Sequence, residues 1–127
     1  MSKYVIDASA MLALLNQETG KERVETILAD SVISAVNYSE VLGKLIDAGL
    51  PEKDACESVD LLGVEVAGFD AEMARLAASL RPMTRKLGLS LGDRCCLALG
   101  LTRRNTVVTA ERAWVKLTFS VKVELIR

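Results

Sequence analysis

Along the chain, short apolar runs alternate with longer stretches in which apolar residues recur at helical spacing. The short runs are rich in β-branched residues, which pack well on a pleated sheet and therefore predict strands. These strands are expected at residues 3–6, 32–36, 64–67, 106–109 and 121–126. The longer stretches predict helices at residues 8–16, 21–29, 38–48, 51–62, 71–80 and 91–103, and a helical turn at 110–116.

This alternation of strands and helices predicts an α/β fold, with a mostly parallel sheet covered by helices on both faces. A length of 127 residues favours a single domain that spans residues 1–127. Sheets of this kind bind their ligands in a crevice outside the carboxyl ends of the strands. The residues that directly follow each predicted strand are therefore the first candidates for a functional site.

Composition narrows the possible chemistry, because the sequence contains no histidine. Ser-His-Asp and Cys-His catalysis and the common histidine-containing zinc sites are thereby excluded. The 3 cysteines, an odd number with two of them adjacent, indicate reduced thiols and hence a cytoplasmic protein. No apolar run approaches the roughly 18 residues that a membrane span requires, so no membrane partner is expected.

Charge is distributed unevenly, although the net charge is only −1. Residues 1–72 contain 14 acidic and 5 basic residues, whereas residues 73–127 contain 3 acidic and 11 basic residues. The basic second half is either a solvated face that balances the acidic half or a surface for a polyanionic partner such as a nucleic acid.

Four acidic residues fall near the predicted carboxyl ends of the strands: Asp7, Glu40, Asp93 and Glu111. Carboxylates that converge on one place repel each other unless a cation lies between them. A cluster of oxygen ligands without histidine or thiolate suits a hard ion such as Mg²⁺ or Mn²⁺, which can activate water for attack on a phosphodiester. The nearby hydroxyls of Ser9 and Thr109 either orient a carboxylate or a water, or simply complete turns.

Two of these acids also have a purely structural interpretation. The spacings Asn37-x-x-Glu40 and Ser90-x-x-Asp93 both fit a capping box, in which the acid accepts a hydrogen bond at the start of a helix. Asn37 is accordingly expected to cap the helix at residues 38–48. Asp7 is harder to explain in this way, because an unpaired buried charge directly after an apolar strand is energetically unfavourable.

The segments that contain the four acids are Asp7-Ala8-Ser9-Ala10, Asn37-Tyr38-Ser39-Glu40-Val41, Leu89-Ser90-Leu91-Gly92-Asp93 and Val108-Thr109-Ala110-Glu111-Arg112-Ala113-Trp114. In this order and spacing they resemble the four motifs of PIN-domain ribonucleases, and most closely those of VapC-type toxins from bacterial toxin-antitoxin pairs. The resemblance extends over residues 3–126. It implies a PIN-like three-layer α/β/α fold with a central, mostly parallel sheet of about five strands.

The resemblance also implies an activity and partners. Proteins of this kind are homodimeric endoribonucleases that depend on Mg²⁺ or Mn²⁺, and a cognate antitoxin inhibits them by laying a peptide across the active-site groove. By motif position, Asp7, Glu40 and Asp93 are the acidic metal ligands and catalytic residues. Glu111 stands where the family usually has aspartate, so it reaches the metal either directly or through a water.

Contacts with RNA are expected from basic residues in the second half of the chain. The candidates are Arg85, Lys86, Arg94 and Arg112. Such side chains would attract a phosphodiester backbone towards a pocket that is itself acidic.

Two other functions remain open. A nucleic-acid-binding module could keep the PIN-like fold without catalysis, although the intact acids argue against it. A receiver-like signalling domain has a similar length and alternation of elements. It requires paired acids after the first strand and another acid after the third, but here Asp7 stands alone and Ala67-Gly68 follows the third strand.

Overall fold

A five-stranded sheet forms the centre of the structure, a computed structural model that describes residues 1–127. The strands are β1 (Tyr4–Ile6), β2 (Ser31–Ser34), β3 (Glu65–Ala67), β4 (Thr106–Thr109) and β5 (Val123–Leu125). Their order across the sheet is β3-β2-β1-β4-β5, and every neighbouring pair is parallel. The strand order reverses between β1 and β4, and open α/β sheets bind their ligands at such a switch point.

Seven α-helices connect the strands. They are α1 (Ala8–Leu15), α2 (Lys21–Ile27), α3 (Ala35–Asp47), α4 (Glu52–Asp60), α5 (Ala71–Ser79), α6 (Arg81–Thr84) and α7 (Leu91–Arg103). Short 3-10 helices occupy Leu28–Asp30, Arg85–Leu87 and Arg112–Lys116. None of the helices has the length and apolar character that a membrane crossing requires.

The helices cover both faces of the sheet, because successive residues of a strand point to opposite sides. Val5, Val32 and Val107 face a core formed with α5 and α7. Ile6, Ile33 and Val108 face a second core formed with α1, α2, α3 and α4. The three-layer α/β/α fold expected from the sequence is confirmed, and the sheet is entirely rather than mostly parallel.

The structure corrects the predicted end of the second strand. This strand ends at Ser34 rather than at Val36, because Ser34 is the N-cap of α3 and its Oγ accepts a hydrogen bond from the Val36 N–H at 3.2 Å. Asn37 therefore lies inside the first turn of α3 and does not cap it, contrary to the prediction. Its side chain is thereby available for contacts with other elements.

Several other elements also differ in detail from the predictions. The helix predicted at residues 71–80 is α5, which ends at Ser79, and Pro82 lies in the first turn of a further short helix, α6, where the N–H that proline lacks is not needed. The helical turn predicted at residues 110–116 is the 3-10 helix Arg112–Lys116. The last strand, β5, is shorter than the predicted range of residues 121–126.

Helix α7 lies directly against the sheet. A Cβ at Gly100 would overlap the Val107 side chain of β4, so the glycine permits this close approach. The close packing fixes the position of α7 relative to the strands, and its first turn carries Asp93.

Candidate active site

A cavity of about 380 Å³ opens at the carboxyl ends of β1 and β4, beside the switch point of the sheet. All four acids predicted from the sequence line it: Asp7, Glu40, Asp93 and Glu111. They come from four separate segments of the chain. The convergence inferred from their positions after the strands is therefore present as a shared lining of one cavity.

Asp7 is the most firmly held of these acids. It is the N-cap of α1, and its Oδ1 accepts a hydrogen bond from the Ala10 N–H at 2.8 Å. Its Oδ2 accepts a hydrogen bond from the Thr109 hydroxyl at 2.6 Å, and the Ser9 hydroxyl lies 2.8 Å from Oδ1 and 2.9 Å from Oδ2. These contacts hold the carboxylate at the junction of β1 and β4.

Ser9 and Thr109 have a second role, because each hydroxyl oxygen also accepts a backbone hydrogen bond. Ser9 Oγ accepts from the Ala110 N–H at 2.9 Å, and Thr109 Oγ1 accepts from the Glu111 N–H at 3.0 Å. The two hydroxyls thus connect the Asp7 carboxylate to the segment that follows β4 and carries Glu111.

Burial makes the negative charge of Asp7 unfavourable. The side chain is only 3% exposed, and loss of hydration raises the pKa of Asp7 to about 6. The hydrogen bonds from Thr109, Ala10 and Ser9 lower this pKa but do not cancel the effect of burial, and the negative charge of Asp93 raises it further. A cation near Asp7 would favour the charged form.

Glu40 is held by Asn37, which the sequence pattern predicts only as a helix cap. Asn37 Nδ2 donates hydrogen bonds to Glu40 Oε1 at 2.6 Å and to the Gly92 carbonyl oxygen at 3.0 Å. The Glu40 carboxylate lies so close to Gly92 that a Cβ there would be 2.7 Å from Glu40 Cδ. Glu40 of α3 is therefore drawn to the first turn of α7, next to Asp93.

Asp93 forms the capping box that its spacing predicts. Its Oδ2 accepts a hydrogen bond from the Ser90 N–H at 2.9 Å, and Ser90 Oγ accepts one from the Asp93 N–H at 3.2 Å. Its Oδ1 makes no hydrogen bond with other protein groups. The structural and functional interpretations of Asp93 are therefore compatible, since one oxygen caps α7 while the other remains available.

Two basic residues that were not predicted also line the cavity. Arg127 forms an ion pair with Glu18 at 3.1 Å, whereas Lys44 has no ion pair. Lys44 follows Glu40 by one helical turn on the same face of α3, and this spacing could have indicated it. Arg127 reaches the cavity only because β5 pairs with β4, which the sequence does not specify.

The basic residues predicted to contact RNA do not line the cavity. Arg85 and Lys86 are exposed on the 3-10 helix before α7, and Arg112 is exposed after β4. Arg94 is turned towards α5, where its Nη1 donates a hydrogen bond to the Ala77 carbonyl at 3.1 Å. These four side chains therefore lie outside the immediate surroundings of the carboxylates.

The donors in the cavity fit a hard divalent cation in their chemistry. They are oxygen atoms, and the nearby Cys96 thiol is buried with its pKa raised well above the usual value, chiefly by burial, so it stays protonated. However, no group of three or more His, Cys, Asp or Glu side chains is arranged so that it could hold a metal ion. Side chains would have to move to complete a coordination sphere, and the exposed Glu111 carboxylate, which makes no hydrogen bond, is free to do so.

One known protein family matches this sequence. A family model of the PIN domain covers residues 4–119, which is most of the chain. Among curated proteins, no sequence matches the chain.

Several solved structures share this fold at low sequence identity. A chain in DNA-bound VapBC from Salmonella typhimurium aligns with a TM-score of 0.77 and 18% identity over 100% of both chains. A chain in VapBC-1 from nontypeable Haemophilus influenzae gives 0.72 and 18% over 97% of both chains. VapC20 from Mycobacterium tuberculosis, described as a sarcin-ricin loop cleaving toxin, gives 0.71 and 14% over 94% of this chain and 98% of its own.

The buried charge of Asp7 predicts an unusual pH dependence of stability. The folded state with a pKa of about 6 binds a proton more tightly than the unfolded state with a pKa near 3.8. Protonated Asp7 therefore contributes to the free energy of unfolding below about pH 4, and this contribution is lost as the pH rises through 6. This difference of about two pKa units corresponds to roughly 3 kcal/mol.

We expect urea unfolding in EDTA to show this loss in the wild-type protein and not in Asp7→Asn. The difference in unfolding free energy between the variant and the wild type should therefore grow in favour of the variant from pH 4 to pH 7. A difference that stays constant over this range would show that burial does not raise the pKa of Asp7.

Proposed function

The chain belongs to the PIN domain family, as its motifs predict, and we propose that it is an endoribonuclease that depends on Mg²⁺ or Mn²⁺. The observation that carries this proposal is the lining of one cavity by carboxylates from four separate segments, beside the switch point of the sheet. The fold shared with VapC20, described as a toxin that cleaves the sarcin-ricin loop, supports RNA as the substrate.

In the proposed site, Asp7, Glu40 and Asp93 hold the cation, and Glu111 does so directly or through a water. When bound, such a cation stabilises negative charge on a phosphoryl oxygen and makes a water more acidic. Ser9 and Thr109 keep the Asp7 carboxylate in one orientation through their hydrogen bonds.

The basic residues divide into two proposed groups. Lys44 lines the cavity without an ion pair, so its ammonium group is available for the phosphate next to the cleaved bond. The exposed Arg85, Lys86 and Arg112 would contact phosphates further along the RNA. Arg94 could join them only by giving up its hydrogen bond to α5.

We also propose that the protein is the toxin of a toxin-antitoxin pair. Several structures with the same fold are VapBC complexes, which supports a cognate antitoxin as a partner of this chain. The PIN resemblance further suggests a homodimer. The three free cysteines fit a reducing cytoplasm as the place of action.

The central test is RNA cleavage with and without a chelator. We expect EDTA to abolish cleavage and excess Mg²⁺ or Mn²⁺ to restore it. Asp7→Asn should reduce the rate by about 100-fold or more, because loss of a metal ligand removes several kcal/mol of transition-state stabilisation. Asp47→Asn, which changes an exposed acid at the far end of α3, is the matched control and should cleave normally.

Cleavage that survives EDTA would contradict the metal-dependent mechanism. RNA binding without any cleavage by the wild-type protein would instead favour the inactive nucleic-acid-binding module.

A second prediction concerns Lys44. Lys44→Ala should raise the KM for RNA and reduce the slope of log affinity against log salt by about 0.7, the value for one phosphate contact on a single strand. Lys53→Ala is the matched control, since Lys53 is exposed on α4 and lines none of the larger pockets. Equal salt slopes for the two variants would remove Lys44 from the proposed site.

A further inference from the structure

Asn37 is an unusual residue for a buried position in the first turn of α3. Its side chain is only 1% exposed, and it lines the cavity that contains the four acids. Both hydrogens of its amide group are used, one by Glu40 Oε1 at 2.6 Å and the other by the Gly92 carbonyl at 3.0 Å. Because both partners are acceptors, the amide can face them only with its nitrogen, which fixes the orientation of the group.

The other end of the amide is left unsatisfied. Asn37 Oδ1 is buried and has no hydrogen-bond partner. A buried acceptor without a donor is unfavourable, and an apolar side chain of similar volume would avoid the problem. Packing therefore does not explain the asparagine, whereas its two donated hydrogen bonds do.

The Glu40 carboxylate has reasons to lie elsewhere. It is a flexible, exposed side chain, and the charges of Asp7 and Asp93 repel it from the cavity. Lys44 lies four residues further along α3, in the favourable orientation for an ion pair with Glu40. This ion pair does not form, and the carboxylate lies against Asn37 and Gly92 instead.

We propose that Asn37 is the positioning residue for Glu40, holding its carboxylate at the first turn of α7, beside Asp93. The proposal rests on the proposed function for its meaning, because Glu40 is one of the carboxylates that would hold the cation there. Gly92 completes the arrangement by leaving the space that the carboxylate occupies. Asn37 itself acts only through Glu40.

The first test is a double-mutant cycle on Mn²⁺ affinity, measured by calorimetry on folded protein. Asn37→Ala should weaken Mn²⁺ binding by about 10-fold, the lower end of the effect known for residues that orient metal ligands. In a Glu40→Ala background, which removes the acceptor oxygen that Asn37 contacts, the same change should have less than about a 2-fold effect. Equal losses in both backgrounds would overturn the proposal.

Two controls accompany this cycle. Asn16→Ala removes another asparagine at the same cavity whose side chain makes no hydrogen bond, and it should leave Mn²⁺ affinity unchanged. Asn37→Leu keeps the branched shape of the side chain without its amide group, so it should reproduce the weakened binding even if Asn37→Ala fails to fold.

The second test needs no metal and separates this proposal from the proposed function. In EDTA, Gly92→Ala must push the Glu40 carboxylate away from Asn37, because the new methyl group takes its place. In an Asn37→Leu background the carboxylate is already released, so Gly92→Ala should lower the urea midpoint less than it does in the wild-type protein.

If Gly92→Ala lowers the urea midpoint equally in both backgrounds, Asn37 does not position Glu40, whether or not the protein binds a metal. If Gly92→Ala has the smaller effect in the Asn37→Leu background but the protein binds no Mn²⁺, Asn37 positions Glu40 and the metal-dependent function is wrong.

Discussion

The burial of the Asp7 carboxylate among three other acids at one edge of the sheet is the constraint around which this site is built. Parallel strands bring their carboxyl ends together, so acids that follow them converge whether or not convergence is favourable. Asp7 bears the largest part of the cost, because it is almost fully buried and burial raises its pKa to about 6. The surrounding polar groups reduce this cost without removing it.

Three of the four acids are each stabilised by a different local device. Two hydroxyls and a helix N-terminus hold Asp7, a capping box holds Asp93, and the Asn37 amide holds Glu40. These devices orient the carboxylates and still leave oxygen atoms such as Asp93 Oδ1 free of protein donors. The arrangement is suited to a positively charged ligand, which would relieve the repulsion that the protein groups leave in place.

The sequence predicts the fold well because its signals are local. β-branched runs mark the strands, and the Ser90-x-x-Asp93 spacing correctly predicts a capping box. The four acids could be found because they follow strands or begin helices. The same reasoning failed for Asn37, because β2 ends at Ser34 and Ser34 itself caps α3, which leaves Asn37 inside the helix. Its contact with Gly92 crosses 55 positions of sequence, and no local pattern reveals such a contact.

The function proposed for this site requires that these oxygens share one cation. The most direct measurement is a crystal structure of the protein grown with Mn²⁺, with data collected at the manganese absorption edge. We expect an anomalous peak in the cavity at about 2.1 Å from a carboxylate oxygen of Asp7, with Glu40 and Asp93 bound to the ion or to its water. A peak elsewhere, or a cavity without one at saturating Mn²⁺, would contradict the proposed function.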